Sequence, residues 1–134
     1  MKRDESHVRG QSLVEFALVV PIFLVLLFGM VEFGRAWMTK NIITGAAREA
    51  VRIYAVDNTS WALARTRAEN VMTSAGLDPV GRANISPSET QINPNEWEMG
   101  VLVEYNFPVI IIGFIPGLPG DNILLSTTST MRRE

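Results

Sequence analysis

Charge disappears from the chain between Glu15 and Glu32. The sixteen residues of that run read FALVVPIFLVLLFGMV, which as a helix rising about 1.5 Å per residue covers roughly 24 Å. Leu13 and Val14 on one side, and Phe33 and Trp37 on the other, extend the apolar stretch to nearly the roughly 30 Å of a bilayer core. The run predicts a transmembrane helix, with Trp37 at the interface where an amphipathic ring is stable. Pro21, Gly29 and Gly34 interrupt it with residues that kink or loosen helices.

Beyond Glu32 the pattern becomes amphipathic. Ile42, Ala46, Ala50 and Tyr54 form one i, i+4 row, and Ile43, Ala47, Val51 and Ala55 form the row beside it. Lys40, Thr44, Arg48 and Arg52 form a polar row on the opposite face. One helix from Leu13 to Val56 is therefore expected, its first half in lipid and its second half packed on a soluble domain. Asp57 to Ser60 supply a break and an N-cap candidate. Trp61, Ala64, Ala68, Val71, Met72 and Ala75 then outline a second, alanine-faced helix that Gly76 and Asp78-Pro79 end.

The remainder changes period. Residues 80–95 collect Pro, Gly, Ser and Asn and read as loop around a short strand near Asn84-Ile85-Ser86. Val101, Val103, Tyr105 and Phe107 alternate with Leu102, Glu104 and Asn106, and Leu125, Thr127, Ser129 and Met131 alternate with Ser126, Thr128 and Thr130. Two period-two strands at the end of a chain pair most simply as an antiparallel hairpin covering the helices. Between them Val109, Ile110, Ile111, Ile112, Phe114 and Ile115 form an apolar stretch broken by Pro and Gly, too short to span a membrane. It is either a loop tucked over the core or an exposed patch that meets the bilayer or a partner.

Composition narrows the function classes. The 134 residues include no Cys and one His, with 19% charged residues and a net charge of −2. Disulfides, thiolate nucleophiles and Cys-ligated metals are excluded, and a near-neutral chain lacks the footprint of a nucleic-acid binder. No phosphate-binding glycine loop, Gly-x-Ser-x-Gly or carboxylate cluster with metal spacing occurs, and His7 stands before the apolar run. The expectation is a chain that is not an enzyme, with no cofactor, no metal and no nucleic-acid partner.

The start of the chain carries the most specific pattern. A basic leader with Lys2, Arg3 and Arg9 ends in Gly10, followed by Gln11-Ser12-Leu13-Val14-Glu15-Phe16 and then the apolar helix. A carboxylate at the edge of such a helix requires a partner, which makes Glu15 a functional candidate. This pattern resembles type IV prepilins and pseudopilins position by position. Gly10 to Arg35, Ala46 to Arg52, and the closing Thr130-Met131-Arg132-Arg133-Glu134 are similar, more narrowly, to the TadE/TadG-like family of the Tad (Flp) type IVb pilus system. Asp57 to Glu98 carries no motif of that kind.

The resemblance implies a prepilin peptidase substrate cut between Gly10 and Gln11. It also implies subunit pairing through Glu15 and Phe16, Glu15 facing the new amino terminus of a neighbour. Residues 1–10 would be a leader, 11–34 the transmembrane helix and 35–134 an extracytoplasmic pilin-like domain. The fold class expected is α+β: a single-pass N-terminal transmembrane helix extending into a small pilin-like domain, with a second helix and a C-terminal antiparallel β-hairpin or small sheet. The function implied is a minor pseudopilin or pilus-assembly component for surface adherence. Its N-terminus would lie in the cytoplasm and its domain outside the inner membrane, with other pilins or pseudopilins and the Tad secretion machinery as partners. The competing expectation is an uncleaved single-pass accessory or binding protein of an envelope secretion complex.

Overall fold

The computed structural model describes residues 5–56, 61–94, 96–110 and 122–132, with side chains from residue 10 onward. Helix α1 runs from Glu5 to Val56, 52 residues without a break, or about 78 Å at the usual rise. It starts earlier than the expected Leu13 and passes straight through Gly10. A single glycine costs a helix only about 1 kcal/mol and does not end it. Pro21 lies inside α1 and does not end it either.

Helix α2, Trp61–Ser74, is the expected second helix. Its end is chemically explicit. Gly76 takes φ 83°, the Leu77 N–H donates to the Met72 carbonyl at 2.9 Å, and the Gly76 N–H donates to the Thr73 carbonyl at 3.0 Å. These two bonds make a Schellman cap, which requires a left-handed residue where glycine alone is unstrained. The half-buried Leu77 then packs on the core and turns the chain away from the helix axis. The break and cap expected at 57–60 lie outside the described residues.

Strands β1 (Ala83–Asn93), β2 (Glu96–Pro108) and β3 (Asn122–Arg132) form one antiparallel sheet in that order. The pairing of the last two strands is as expected, with Val103 opposite Thr127 and Tyr105 opposite Leu125. The short strand near Asn84 is a correction: β1 is eleven residues long and continues through Ser-Pro-Ser-Glu-Thr. An edge strand has only one paired side, so Pro87 is tolerated there, and its mostly exposed positions need no apolar alternation. Both features hid the strand from a hydrophobic pattern.

The core lies where α1 passes between α2 and the sheet. Ile43, Ala46, Ala47 and Ala50 are fully buried on α1, Ala64, Ala68 and Met72 on α2, and Val101 and Val103 on β2. Alanine on both facing helices lets the backbones approach closely, while the larger side chains of β2 fill the space on the other side of α1. The polar row on α1 departs from expectation. Lys40 Nζ donates to the Ser126 carbonyl, and Thr44 Oγ1, which donates to the Lys40 carbonyl at 2.7 Å, accepts from the Thr127 hydroxyl at 3.3 Å, so its first half faces β3. The inward side of β3 carries Thr127 and Ser129, hydroxyls that suit a polar helix flank better than an apolar one.

Candidate membrane and assembly surface

Among the described residues α1 is the one helix long and apolar enough to cross a membrane. Its most apolar eighteen-residue window has a mean hydropathy of 2.6, and none of that window is buried. Phe16, Leu18, Ile22, Leu26 and Met30 all remain more than 60% exposed. The domain takes up the second half of α1 and leaves this first half uncovered. An apolar rod of that length in water is far larger than the exposed patches of soluble monomers.

The expected site residues are distributed as follows. Gly10 sits in open space within the continuous helix. Gln11 Nε2 donates to Glu15 Oε1 at 3.2 Å, an exposed i, i+4 contact. Phe16 projects beside it, 67% exposed. The fold therefore brings Gln11 and Glu15 together one turn apart, and leaves both facing outward. Val109 and Ile110 separate: Val109 belongs to the buried core, whereas Ile110 is 57% exposed. Ile111, Ile112, Phe114 and Ile115 lie outside the described residues.

The junction between rod and domain contains an ion pair and a cation–π contact that the sequence pattern did not single out. Arg35 Nη1 donates to Glu32 Oε1 at 2.6 Å, and the Arg35 guanidinium lies 5.2 Å from the centroid of the Phe107 ring. Phe33 and Trp37 stack nearby with ring centroids 6.2 Å apart. Glu32 and Arg35 are three residues apart, an i, i+3 spacing legible on any helix. The reach of Arg35 to a strand seventy residues later is not.

Farther along, Glu49 is shared by two guanidiniums. Arg52 Nη2 on α1 and Arg67 Nη2 on α2 both donate to Glu49 Oε1, at 3.0 and 3.1 Å. The Arg52 hydrogen bond, and then the Arg67 bond, hold the Glu49 carboxyl below its ordinary value, and Glu49 in turn raises Arg52. A carboxylate with a lowered folded value contributes stability that is fully present above the unfolded value of 4.5. That contribution is lost as pH falls through the lowered folded value. We expect Glu49→Gln to flatten the acid limb of the unfolding midpoint against pH below about 4.5. An unchanged limb in the variant would mean the carboxylate does not couple to folding.

Among the described residues, no group of three or more His, Asp or Glu side chains is placed to hold a metal ion. The grooves are open and shallow, one between α1 and α2 beside Glu49, another at the rod junction beside Arg35. The described residues thus present a bare apolar helix, a polar pair near its start and an ion pair at its junction with the domain. Residues 10–52 match the TadE-like protein family. The match takes in Gly10, Gln11, Glu15 and Phe16, the whole apolar run, and the Ala-Ala-Arg-Glu-Ala-Val-Arg segment that carries Glu49 and Arg52. It ends at Arg52, so α2, the sheet and the closing Thr130 to Glu134 lie outside it. No curated protein and no solved structure matches the chain. Within the Ala-Ala-Arg-Glu-Ala-Val-Arg segment, Ala46, Ala47 and Ala50 are buried in the core, and the intervening Glu49 joins the two helices.

Proposed function

We propose that this protein is a membrane-anchored, pseudopilin-like component of a Tad (Flp) pilus. The observation that carries the reading is the fully uncovered apolar half of α1, joined without a break to a TadE-like helix that seats a small α+β domain. The TadE-like match supports association with Tad pilus machinery in general. In this reading residues 1–10 are a leader on the cytoplasmic side, 11–34 the span in the inner membrane and 35–134 the domain on the far side. Prepilin peptidase cuts after Gly10. Glu15 and Phe16 then meet a neighbouring pilin or pseudopilin, and the assembled product serves adherence.

The exposure of Glu15 is consistent with that role. Its carboxylate accepts from the Gln11 side-chain amide, and after cleavage the ammonium of Gln11 would stand one turn away. A carboxylate beside an ammonium gains when both are desolvated together between packed helices, while removing one partner strands the other. Glu15→Ala should leave membrane insertion intact and sharply reduce incorporation into pili; normal pilus output from the variant would contradict subunit pairing.

A second reading, an uncleaved single-pass accessory or binding protein of an envelope secretion complex, draws support from the unbroken helix through Gly10, because a peptidase needs an extended backbone at the bond it cuts. Mass spectrometry of the N-terminus separates the two. Co-expression with prepilin peptidase should produce a chain beginning at Gln11, and Gly10 substitution should abolish it. An intact Met1 in both cases favours the second reading.

A further inference from the structure

The end of the domain nearest the apolar half of α1 holds an open groove of about 350 Å³. Arg35 and Met38 of α1, Arg82 from the turn before β1, and Phe107 near the end of β2 line it. Gly81, with φ 70°, shapes that turn, and the Arg82 carbonyl accepts the Asn106 N–H at 2.9 Å, which fixes the turn to β2. Arg35 is already steadied by Glu32 and the Phe107 ring. Arg82 differs: it is exposed, and among the described residues no carboxylate pairs with it. Asp78 also lines the groove, and its Oδ1 accepts the Val80 N–H at 3.0 Å, which ties that carboxylate to the turn backbone.

Position along α1 identifies what this groove faces. A hydrocarbon core of about 30 Å that begins at Leu13 ends near Phe33, given a rise of about 1.5 Å per residue. Arg35 and Trp37 then lie about 3 and 6 Å farther out, within a headgroup layer roughly 5–7 Å deep. The exposed, stacked Phe33 and Trp37 are the aromatic pair suited to that depth. The abundant anion of that layer is phosphate, for which a planar guanidinium offers paired donors. The exposed Met38 supplies an apolar flank on the same side.

We propose that this groove binds the phosphate of an anionic membrane phospholipid, with Arg82 as the principal ligand and Arg35 as the second. The inference rests on reading α1 as a membrane span. One lipid held between the helix and the turn ties the domain to the bilayer at two points instead of one. This restricts its tilt about the emerging helix and gives neighbouring subunits a fixed orientation to meet. An acidic protein partner is the less favoured occupant, because the Arg35 end of the groove lies at headgroup depth beside interfacial aromatics.

Native mass spectrometry of the full chain in detergent, titrated with phosphatidylglycerol, tests the site. The wild type should retain one lipid, and Arg82→Gln should weaken retention at least tenfold. Arg82→Lys should fall between them, because it keeps the charge and loses the fork. Arg48→Gln, exposed on α1 about 20 Å farther from the bilayer, should match the wild type. Circular dichroism checks that each variant is folded. Equal retention by folded Arg82→Gln, or no retained lipid in the wild type, overturns the proposal. Displacement of the lipid by millimolar inorganic phosphate overturns it in favour of a soluble phosphate ligand. Loss of a co-purifying acidic protein in Arg82→Gln, with lipid retention unchanged, overturns it in favour of a protein interface. An alkaline wash of membranes keeps the two readings apart. Release of the wild-type chain removes the membrane span itself, whereas a retained chain without lipid retention removes only the lipid site.

Discussion

Arginine at both Leu24 and Leu27 is expected to release the chain from membranes. Both side chains project from the uncovered part of α1, near the middle of the apolar stretch, and neither touches the domain core. Each arginine at the centre of a spanning helix costs about 2.5–3.5 kcal/mol on the insertion scale. The pair therefore opposes insertion by about 6 kcal/mol, a change on the order of 10⁴ in partitioning. The domain should be unaffected, because its contacts begin beyond the rod. Alkaline washing followed by immunoblotting measures the outcome, with the wild type in the pellet and the double variant in the supernatant or in aggregates. Retention of the double variant would mean that protein, not lipid, covers this surface.

The second large effect falls at the junction. Phe107 is 3% exposed in the core and its ring lies beneath the Arg35 guanidinium. Truncating a buried phenylalanine to alanine costs about 3–5 kcal/mol from lost transfer energy and the cavity left behind. The stability of a domain this small is only about 5–15 kcal/mol, so Phe107→Ala should lower the unfolding temperature by well over ten degrees. The variant also removes the cation–π partner that holds Arg35 toward the domain, so trypsin should cut after Arg35 faster than in the wild type. Insertion through α1 should persist. Near-ultraviolet circular dichroism and limited proteolysis in detergent report both effects, and an unchanged melting temperature would show that Phe107 is not a core residue.

The elements differ in how well the chain announced them. The apolar run was legible because sixteen uncharged residues have few structural solutions, and the α2 face was legible because Ala64, Ala68 and Met72 recur at helical spacing. The full extent of β1 was not. Its Asn, Ser, Thr, Glu and Pro residues lack apolar alternation, and what makes them a strand is pairing with β2, a non-local effect. The polar row on α1 is legible as a row, and Arg48 and Arg52 are exposed as expected, but Lys40 and Thr44 face β3. The position of β3 beside Lys40 and Thr44 depends on the sheet, which helical periodicity cannot reveal.

The same division applies to the candidate site. The placement of Gly10, Gln11, Glu15 and Phe16 within two turns of one helix follows from local spacing alone. Glu49 was visible only as a member of the Ala-Ala-Arg-Glu motif. Its i, i+3 bond to Arg52 is local, whereas its bond to Arg67 exists only because the alanine faces bring α2 against α1. Arg35 over Phe107 and Arg82 beside them arise likewise from strand placement. Long-range charge contacts leave little trace in a single sequence.

The absence of native cysteine makes topology directly measurable. Single cysteines at Ala62, exposed on α2, and at Leu24, within the rod, can be challenged in spheroplasts with a membrane-impermeant maleimide. Ala62→Cys should react in intact spheroplasts, while Leu24→Cys should react only after detergent is added and the helix leaves lipid. Labelling of Leu24→Cys without detergent, or of Ala62→Cys only after lysis, would contradict a membrane-anchored protein whose domain stands outside the cytoplasm.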